Sequence, residues 1–448
     1  MRRSPVTLVA VVLAMLTLVG VLNIRGTVTN PVPNPAAAGP TAQSSALYCT
    51  GLTNARGELR GVVTFVNTTG ATRHVIVHAV ATNAAAAVAT AFTLGPYQRQ
   101  VVTPTNLVRG DTYALAAQID GGGVSASEVV TRNGTQAPCT SAGVTTWDAS
   151  GFDTTVGSHA TLSVYNPTAT AAVFNVTAFS VLGYQSPASL QGVSVGAHAV
   201  STIDLGGEIV NTSNVGVQLN VLRGSLVVVG DQVSGTTSSF NYGTALASTG
   251  TFALVTTAYK ALAQVRVANP GPSPATVTLR VAVGKFDVAP QSTVVAPYHS
   301  AEISITPNTA IPAAGEAKVE LSADQSVVAT LATGTKKGLT FFPLGTPLAR
   351  AVLADVTGAG FAQAAVSNAS GATVDLGWSL VHHNAVVATG VATLGVRGTL
   401  SLGQLVGGRA RLQGATLVLT SATPALVVSA ILPTSPAGVT LTGALNGG

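Results

Sequence analysis

A hairpin-like motif occurs four times in this chain, at intervals of about one hundred residues, and it defines the folding unit. Its anchor is an asparagine, and successive copies lie 99, 103 and 99 residues apart. The four copies are Asn67 in VVTFVNTTG, Asn166 in TLSVYNPTA, Asn269 in QVRVANPGP and Asn368 in AAVSNASG. Because a fixed period is the signature of a repeat architecture, the fold must be built from one unit used four times.

Apolar residues alternate with other residues on both sides of each asparagine. They occupy the positions two and four before it, and eight, ten and twelve after it. Period-two runs on both sides of a turn-forming segment predict two strands joined by a short turn. The predicted inward-facing set is Val63, Phe65, Val75, Val77 and Ala79; Leu162, Val164, Phe174, Val176 and Ala178; Val265, Val267, Val277, Leu279 and Val281; and Ala364, Val366, Leu376, Trp378 and Leu380.

A second landmark, a corner between two strand-like runs, follows each asparagine by 27 to 30 residues, at Gly95, Gly196, Ala296 and Gly395. With the apolar runs that follow it, each unit holds about seven short strands, and no long window has helical periodicity. We therefore predict an all-β chain of four tandem antiparallel β-sandwiches of immunoglobulin-like build. One continuous structure, such as a four-bladed propeller, is the alternative. The predicted domains are residues 47–140, 141–245, 246–345 and 346–448.

The N-terminal segment predicts a location outside the cytoplasm. A pair of arginines precedes an uncharged run over residues 6–22, and Arg25 follows it. This run is just long enough to cross a bilayer, so we predict a signal-anchor helix over residues 1–25, with the later domains outside. A cleavable signal peptide is the alternative, but its nearest Ala-x-Ala, at residues 36–38, lies well beyond the apolar run. Residues 26–46 are rich in Pro and Ala and predict a semi-extended stalk.

Cysteine usage agrees with export. The chain has two cysteines, Cys49 and Cys139, which bracket the first repeat. In a chain outside the cytoplasm, such a pair predicts one disulfide. A metal site is the alternative, but no His or third Cys lies within ten residues of either cysteine. We predict no metal and no cofactor.

The charge balance excludes one class of partner. The net charge is +5, but Arg2, Arg3 and Arg25 belong to the anchor, which leaves 18 basic residues against 16 acidic ones. No stripe of Lys or Arg remains to follow a phosphate backbone, so nucleic-acid binding is not expected. Charged residues make up only 8% of the chain, which leaves sheet edges poorly protected. We therefore expect the domains to pack against one another or against a partner.

Two histidine pairs have simpler interpretations than a metal site. His74 and His78 lie in a strand-like run, where positions four apart are about 13 Å from each other and cannot share one ion. His382 and His383 fall where a hairpin turn is expected, and a solvated turn explains them. Neither pair predicts a ligand set.

Two further motifs are turn-like. Asp148 and Asp153 flank a Ser-Gly pair, but a calcium loop needs more oxygen ligands at alternating spacing, so Asx-turns are the preferred interpretation. Gly192, Ser194 and Gly196 match the G-x-S-x-G pattern, yet a strand-like run follows, whereas a nucleophile elbow opens a helix. The prediction is that the protein is not an enzyme, although an active site assembled from distant loops stays open.

A glycan site is the remaining candidate. β-Sandwiches that bind carbohydrate use exposed aromatic rings, and the chain has only two tryptophans. Trp378 falls at an inward position of the repeat. Trp147, beside Asp148 and Phe152, is the candidate for an exposed platform and a glycan contact.

The order of several features resembles a family of actinobacterial, membrane-anchored extracytoplasmic proteins of unknown function. These features are the Arg-flanked anchor, the Pro/Ala stalk, the LYCTG start, the segment APCTSAGVTTWDASG and the repeat LSVYNPTATAAVFNV. The resemblance implies association with the cell envelope, because genes of such proteins tend to lie near envelope glycosylation genes, and it implies no mechanism. Repeats two to four lack cysteines, and Ala369 departs from the pattern, so these repeats match by pattern only.

The function predicted from the sequence is a non-catalytic scaffold or binding protein of the cell envelope. The membrane would be a partner through the N-terminal helix. An envelope protein or a cell-wall glycan would be bound by the repeats.

Overall fold

Antiparallel β-strands make up nearly all of the chain that the computed structural model describes. The described residues are 43–53, 61–82, 86–130, 135–234, 237–241, 243–244, 246–255, 262–283, 286–305, 316–335, 338–345, 347–356, 364–408, 414–433 and 438–441. The predicted anchor and most of the predicted stalk lie outside these residues. No helix in the described ranges is long and apolar enough to span a membrane.

Repeats 1 and 2 contain the first seventeen strands of the described chain. Repeat 1 consists of β1 (Ser45–Thr53), β2 (Gly61–Asn67), β3 (Arg73–Ala81), β4 (Val88–Leu94), β5 (Arg99–Val102), β6 (Thr112–Ile119), β7 (Val124–Val130) and β8 (Thr135–Pro138). Repeat 2 consists of β9 (Thr146–Phe152), β10 (Ser158–Tyr165), β11 (Ala172–Ser180), β12 (Gly183–Gln185), β13 (Val193–Val195), β14 (Val200–Asp204), β15 (Val215–Arg223), β16 (Val227–Ser234) and β17 (Thr237–Asn241).

Repeats 3 and 4 contain the remaining described strands. Repeat 3 consists of β18 (Ala247–Val255), β19 (Leu262–Ala268), β20 (Ala275–Val283), β21 (Phe286–Asp287), β22 (Gln291–Val295), β23 (Ser300–Ser304), β24 (Glu316–Thr335) and β25 (Gly338–Pro343). Repeat 4 consists of β26 (Arg350–Val356), β27 (Ala364–Asn368), β28 (Val374–His382), β29 (Ala385–Leu394), β30 (Thr399–Ser401), β31 (Ala415–Thr420), β32 (Leu426–Pro433) and β33 (Gly438–Leu441). The helical segments among the described residues are single turns: 3-10 turns at Pro104–Asn106 and Ala188–Leu190, α1 at Leu205–Glu208 and α2 at Leu402–Val406.

The same pair of sheets recurs along the chain. In repeat 1 the first sheet has the order β1-β6-β3-β4 and the second sheet the order β5-β2-β7-β8. The corresponding orders are β9-β15-β11-β12 and β14-β10-β16-β17 in repeat 2, and β26-β31-β28-β29 and β30-β27-β32-β33 in repeat 4. The first sheet of each repeat is the one that contains its first strand, and the second sheet is the one that contains its last strand. Two such sheets with a shared interior are sandwich-like.

Repeat 3 differs because one long strand belongs to both of its sheets. The N-terminal half of β24 pairs with β18 and β20, and its C-terminal half pairs with β19 and β25. In repeat 1 a run of three glycines at residues 121–123 turns the chain at the corresponding place, and in repeat 2 Gly224 does so. Repeat 3 has Ala-Asp-Gln at residues 323–325, without the Gly or Pro that commonly ends a strand.

Each repeat encloses its own apolar cluster, and the predicted inward set forms its centre. Leu162, Val265 and Phe65 are examples, each fully buried. Nineteen of the twenty predicted residues are buried, and Trp378 is half-buried at the edge of its cluster. The Trp378 ring packs over its cross-strand neighbour Gly390, where an added Cβ would come within 2.7 Å of the ring. The strand register predicted from the period-two pattern is therefore confirmed.

The second landmark is a β-turn in every repeat. In each turn the backbone N–H of the fourth residue donates to the carbonyl of the first. The four bonds are Gln98 to Gly95 at 3.1 Å, Ala199 to Gly196 at 3.3 Å, His299 to Ala296 at 3.2 Å and Gly398 to Gly395 at 2.8 Å. The third residue of each turn has positive φ, as type II turns require, and it is Tyr97, His198, Tyr298 or Arg397. This backbone conformation is uncommon for non-glycine residues, so the surrounding structure must hold it in place.

The repeated asparagine connects the two landmarks and holds the turn. The Asn166 side-chain amide donates to the carbonyls of Thr170 at 2.8 Å, Val195 at 3.2 Å and Gly196 at 2.9 Å. Its side-chain oxygen accepts from the backbone N–H and the hydroxyl of Thr168 at 2.9 and 2.7 Å. The other three asparagines form the same set of amide bonds, and all four are fully buried. Each asparagine therefore satisfies backbone groups that would otherwise be buried without partners.

Candidate functional site

The first strand of each of the first three repeats packs on the second sheet of the repeat that follows. β1 contacts β10 and β16, β9 contacts β19 and β24, and β18 contacts β27 and β32. Small apolar clusters close these seams, such as Val80, Ala114 and Tyr165 between repeats 1 and 2. Faces of the sheets that alternation alone would expose to water are therefore buried between repeats.

One hydrogen bond and the contact of the last strands join the last repeat to the first. The Arg350 guanidinium at the start of β26 donates to the Thr68 hydroxyl, which directly follows β2, at 2.5 Å. The last strands of the repeats also meet in cyclic order, with β8 against β17, β17 against β25, β25 against β33 and β33 against β8. The four repeats therefore close into a ring in the described part of the chain.

Buried charge marks the seam between repeats 2 and 3. Arg266 on β19 is 5% exposed, and its guanidinium donates to the Gly151 carbonyl of repeat 2 at 2.7 Å. It also lies 5.7 Å from the centre of the Phe341 ring, a cation–π contact. Burial lowers the pKa of Arg266 from its ordinary value. Ser150 adds a second link, because its hydroxyl donates to the Arg266 carbonyl at 2.9 Å.

The seam between repeats 3 and 4 contains an open cleft of about 540 Å³. Lys318 on β24 is 2% exposed, pairs with Glu320 at 2.8 Å and donates to the Asn368 carbonyl of repeat 4 at 2.8 Å. Arg397, at the corner turn of repeat 4, lies 3.6 Å from the same Glu320 carboxylate. Arg280 is the cross-strand neighbour of Glu320 and lines the cleft as well.

An exposed aromatic pair lies where the β11–β12 hairpin of repeat 2 meets the corner turn of repeat 3. The rings of Tyr184 and Tyr298 are 6.0 Å apart at an angle of 73°, and Phe179 packs against Tyr184 from the buried side. Tyr184 is 56% exposed, and the neighbouring Leu182 at the hairpin tip is 81% exposed. The His299 ring lies against Gly183, where a Cβ would be 3.3 Å from it, and the φ of 101° at this position favours glycine.

The predicted disulfide is confirmed: Cys49 and Cys139 are bonded at 2.04 Å. A residue that the sequence analysis missed lies beside it, since Glu128 offers a carboxylate oxygen within 4.8 Å of both sulfurs. Burial raises the pKa of the Glu128 carboxyl well above its ordinary value. Both sulfurs are used in the disulfide, so this cluster is structural here. The burial of Glu128 could have been predicted from strand alternation, because it lies two and four residues after Ala126 and Val124, which face the interior on β7.

Trp147 is not an exposed platform, which corrects the predicted glycan contact. It is 2% exposed, belongs to the core of repeat 2 and packs against Phe152 with 6.4 Å between ring centres. The reason is strand parity, since Trp147 faces inward together with Ala149 on β9. A sugar ring therefore has no access to the indole face.

The acidic pair is divided between two roles. Asp153 forms the predicted Asx-turn by accepting from the Thr155 N–H at 2.9 Å. Asp148 instead lies within β9, is buried at the seam and accepts from the Gln218 amide at 2.8 Å. Burial raises the pKa of Asp148 to about 7, and the Gln218 bond partly opposes this rise.

The remaining motifs have the structural roles predicted for them. His74 and His78 lie on β3, and His74 is exposed with Asp120 at 4.0 Å. His383 and Asn384 form the predicted hairpin turn with φ of 48° and 61°. Ser194 is exposed in the middle of strand β13, so it lacks the strand–turn–helix setting of a nucleophile elbow.

Comparison with known proteins identifies no family for this chain. The sequence matches no family model and no curated protein. Among solved structures it is similar to Thermotoga maritima 1070, with 15% identity over 18% of this chain and 72% of that chain and a TM-score of 0.16. It is also similar to a tetra-tandem repeat in the extending region of a large adhesion protein. The two are 16% identical over 92% of this chain and 97% of that chain, with a TM-score of 0.12. A third similar structure is α-L-rhamnosidase of Streptomyces avermitilis. It is 10% identical over 73% of this chain and 45% of that chain, with a TM-score of 0.15. Scores this low carry no argument about function.

Proposed function

We propose that this protein is a non-catalytic scaffold or binding protein of the cell envelope. Its four repeats would act as immunoglobulin-like domains over residues 47–140, 141–245, 246–345 and 346–448. The observation that carries the proposal is the ring of four repeats, in which three first-strand seams and the contacts among the last strands link each repeat to both of its neighbours. Sites on different repeats are then held at fixed relative positions, which is what a scaffold must provide.

The proposal includes a membrane anchor over residues 1–25 and a location outside the cytoplasm. The disulfide supports this location, since such bonds persist in oxidising compartments. Fractionation should place the full-length protein in the membrane, and protease added to intact spheroplasts should remove everything after the stalk. Recovery of a mature form starting near Gly39 in the medium would contradict the anchor.

The partner we propose is an envelope protein that docks on the tip of repeat 2. Val181, Leu182, Tyr184 and Tyr298 form an exposed apolar group there, whereas only 8% of the chain is charged. Tyrosine and apolar side chains surrounded by polar surface are typical of protein interfaces, where a few aromatic residues provide most of the binding energy.

Site-specific photo-crosslinking in intact cells tests this surface. A photoreactive residue at position 182 should give one discrete adduct with an envelope protein. The matched control is position 156 in the same repeat, where Val156 is 96% exposed but lies outside the apolar group. Equal labelling from both positions, or no adduct from position 182, would contradict the docking surface.

A cell-wall glycan is a second candidate, and the tyrosine pair is the observation that favours it. Two exposed rings at 73° offer a face for a pyranose and hydroxyls for its oxygens. Titration of the full-length protein with wall polysaccharide fragments, followed by NMR of the tyrosine rings, separates the candidates. Glycan binding should be lost on Tyr184→Ala and kept on Leu182→Ala, whereas capture of a protein partner should be lost on both changes.

A further inference from the structure

The cleft between repeats 3 and 4 has the size and lining of a small-molecule site. Its volume of about 540 Å³ lies within the range of about 300–1,000 Å³ that ligand pockets occupy. Leu321 and Leu344 contribute apolar surface to its walls. Three residues with hydroxyl groups, Thr249, Thr251 and Ser322, belong to the lining as well. Most of the lining belongs to strands of repeat 3, so the site is built on rigid elements.

The cleft has more positive than negative charge. Glu320 is the one carboxylate in its lining, and three cations lie around it: Lys318, Arg397 and Arg280. Lys318 is buried and fixed by the Asn368 carbonyl, so it is the partner that neutralises Glu320 directly. The two arginines are exposed and add two positive charges to a region that is otherwise nearly neutral.

The arginines are the groups best placed to bind a ligand. Arg397 has φ of 59° at the corner turn, and its Nε lies 3.6 Å from Glu320, beyond an ordinary hydrogen bond. Arg280 forms no ion pair with any residue in the described ranges. A guanidinium offers five donors in a planar fork, which fits a carboxylate or phosphate with two parallel bonds.

We propose that this cleft binds an anionic polyol, meaning a sugar-like molecule with a carboxylate or phosphate group. Arg280 and Arg397 hold the anionic group, and the threonine and serine hydroxyls bond to the hydroxyls of the ligand. Glu320 stays paired with Lys318 and keeps both arginine side chains at the rim. The site differs from the tyrosine pair in place and chemistry, so the proposal stands whether or not a partner docks on repeat 2.

Calorimetric titration of the purified full-length protein tests the proposal. The probes are D-glucuronate for a carboxylate, D-glucose 6-phosphate for a phosphate and D-glucose as the uncharged analogue. We expect saturable binding of one or both anions, no binding of glucose and weaker binding as salt is raised. Arg280→Gln should weaken binding about tenfold, and the double variant with Arg397→Asn should abolish it. Asparagine is chosen at position 397 because it tolerates positive φ.

The matched control is Arg223→Gln, since Arg223 is an exposed strand arginine of repeat 2 outside the cleft. Its binding should equal that of the unchanged protein, and thermal melts should show all variants folded. Three results would overturn the proposal: no binding of either anion, equal binding of glucose, or unchanged affinity in the double variant. Binding of only one of the two anions identifies the group that the cleft takes.

Discussion

Replacing the repeated asparagine of one repeat should strongly destabilise that repeat. Asn166→Ala removes five hydrogen bonds at once: three from the side-chain amide to carbonyls and two to the side-chain oxygen. The site is fully buried, so water cannot readily replace them. At about 1 kcal/mol for an ordinary bond and more for a buried group left bare, the cost is about 3–5 kcal/mol.

The assay uses a tryptophan that the fold places inside the same repeat. Trp147 is buried in the core of repeat 2, so its fluorescence reports unfolding of that repeat when Trp378 is replaced by Phe. With a urea slope of about 1–1.5 kcal/mol/M for a unit of this size, Asn166→Ala should lower the midpoint of unfolding by roughly 2–5 M. A repeat of ordinary stability would then be close to unfolding without denaturant.

The matched control is Asn175→Ala in the same repeat. Asn175 is half-buried, and its side chain accepts one bond, from the Gly192 N–H at 2.8 Å. Its loss should cost about 1 kcal/mol. If Asn175→Ala lowered the midpoint as much as Asn166→Ala, the asparagine would not be what holds the corner, and the reasoning would be refuted.

Three other predictions follow from the described residues. Leu279→Asp should unfold repeat 3, because it puts a carboxylate into the apolar core. Thr278→Asp on the outer face should change the circular dichroism spectrum and the melt only mildly. The reverse result would mean that the strand register is wrong. Peptide mass spectrometry without reduction should find Cys49 joined to Cys139. Because the bond closes a loop of 90 residues, its reduction should destabilise repeat 1 by about 4–5 kcal/mol. Free thiols in the purified protein would refute the bond. The pKa of Asp148 is raised to about 7, so the folded state holds a proton that the unfolded state releases near pH 4, and stability should fall as pH rises from about 4 to 7. Asp148→Asn should remove this part of the decline, and an unchanged pH profile of the unfolding midpoint would show that Asp148 is not buried as described.

The interior of each repeat could be predicted from sequence because it depends on local alternation. Val265, Val267 and Leu279 face inward since successive strand residues point to opposite sides. The turn asparagine was recognisable from its period, but its bonds to carbonyls 26 to 30 residues away arise only in the folded sandwich.

The low charge of the chain predicted that the repeats would pack against one another or a partner, but the residues that form the seams could not be predicted, because packing between repeats leaves no periodic signal. Arg266 and Lys318 have the appearance of solvated strand residues in the sequence, yet both are buried between repeats. The prediction that Trp147 is an exposed platform is wrong, because both Trp147 and its neighbour Asp148 are buried. The cleft and the exposed tyrosine pair both join residues of different repeats, so neither could be predicted before the ring was known.

Small-angle X-ray scattering of residues 43–448 tests the central claim most directly. A chain whose repeats close into a ring should have a radius of gyration near the value for a compact body of this length, about 22 Å. Four sandwiches arranged as an open string, each about 13 Å in radius of gyration and spaced by about 35 Å, would give roughly 40 Å. The account predicts the smaller value, kept on dilution. A value near that of the string would contradict the closed ring and the scaffold built on it.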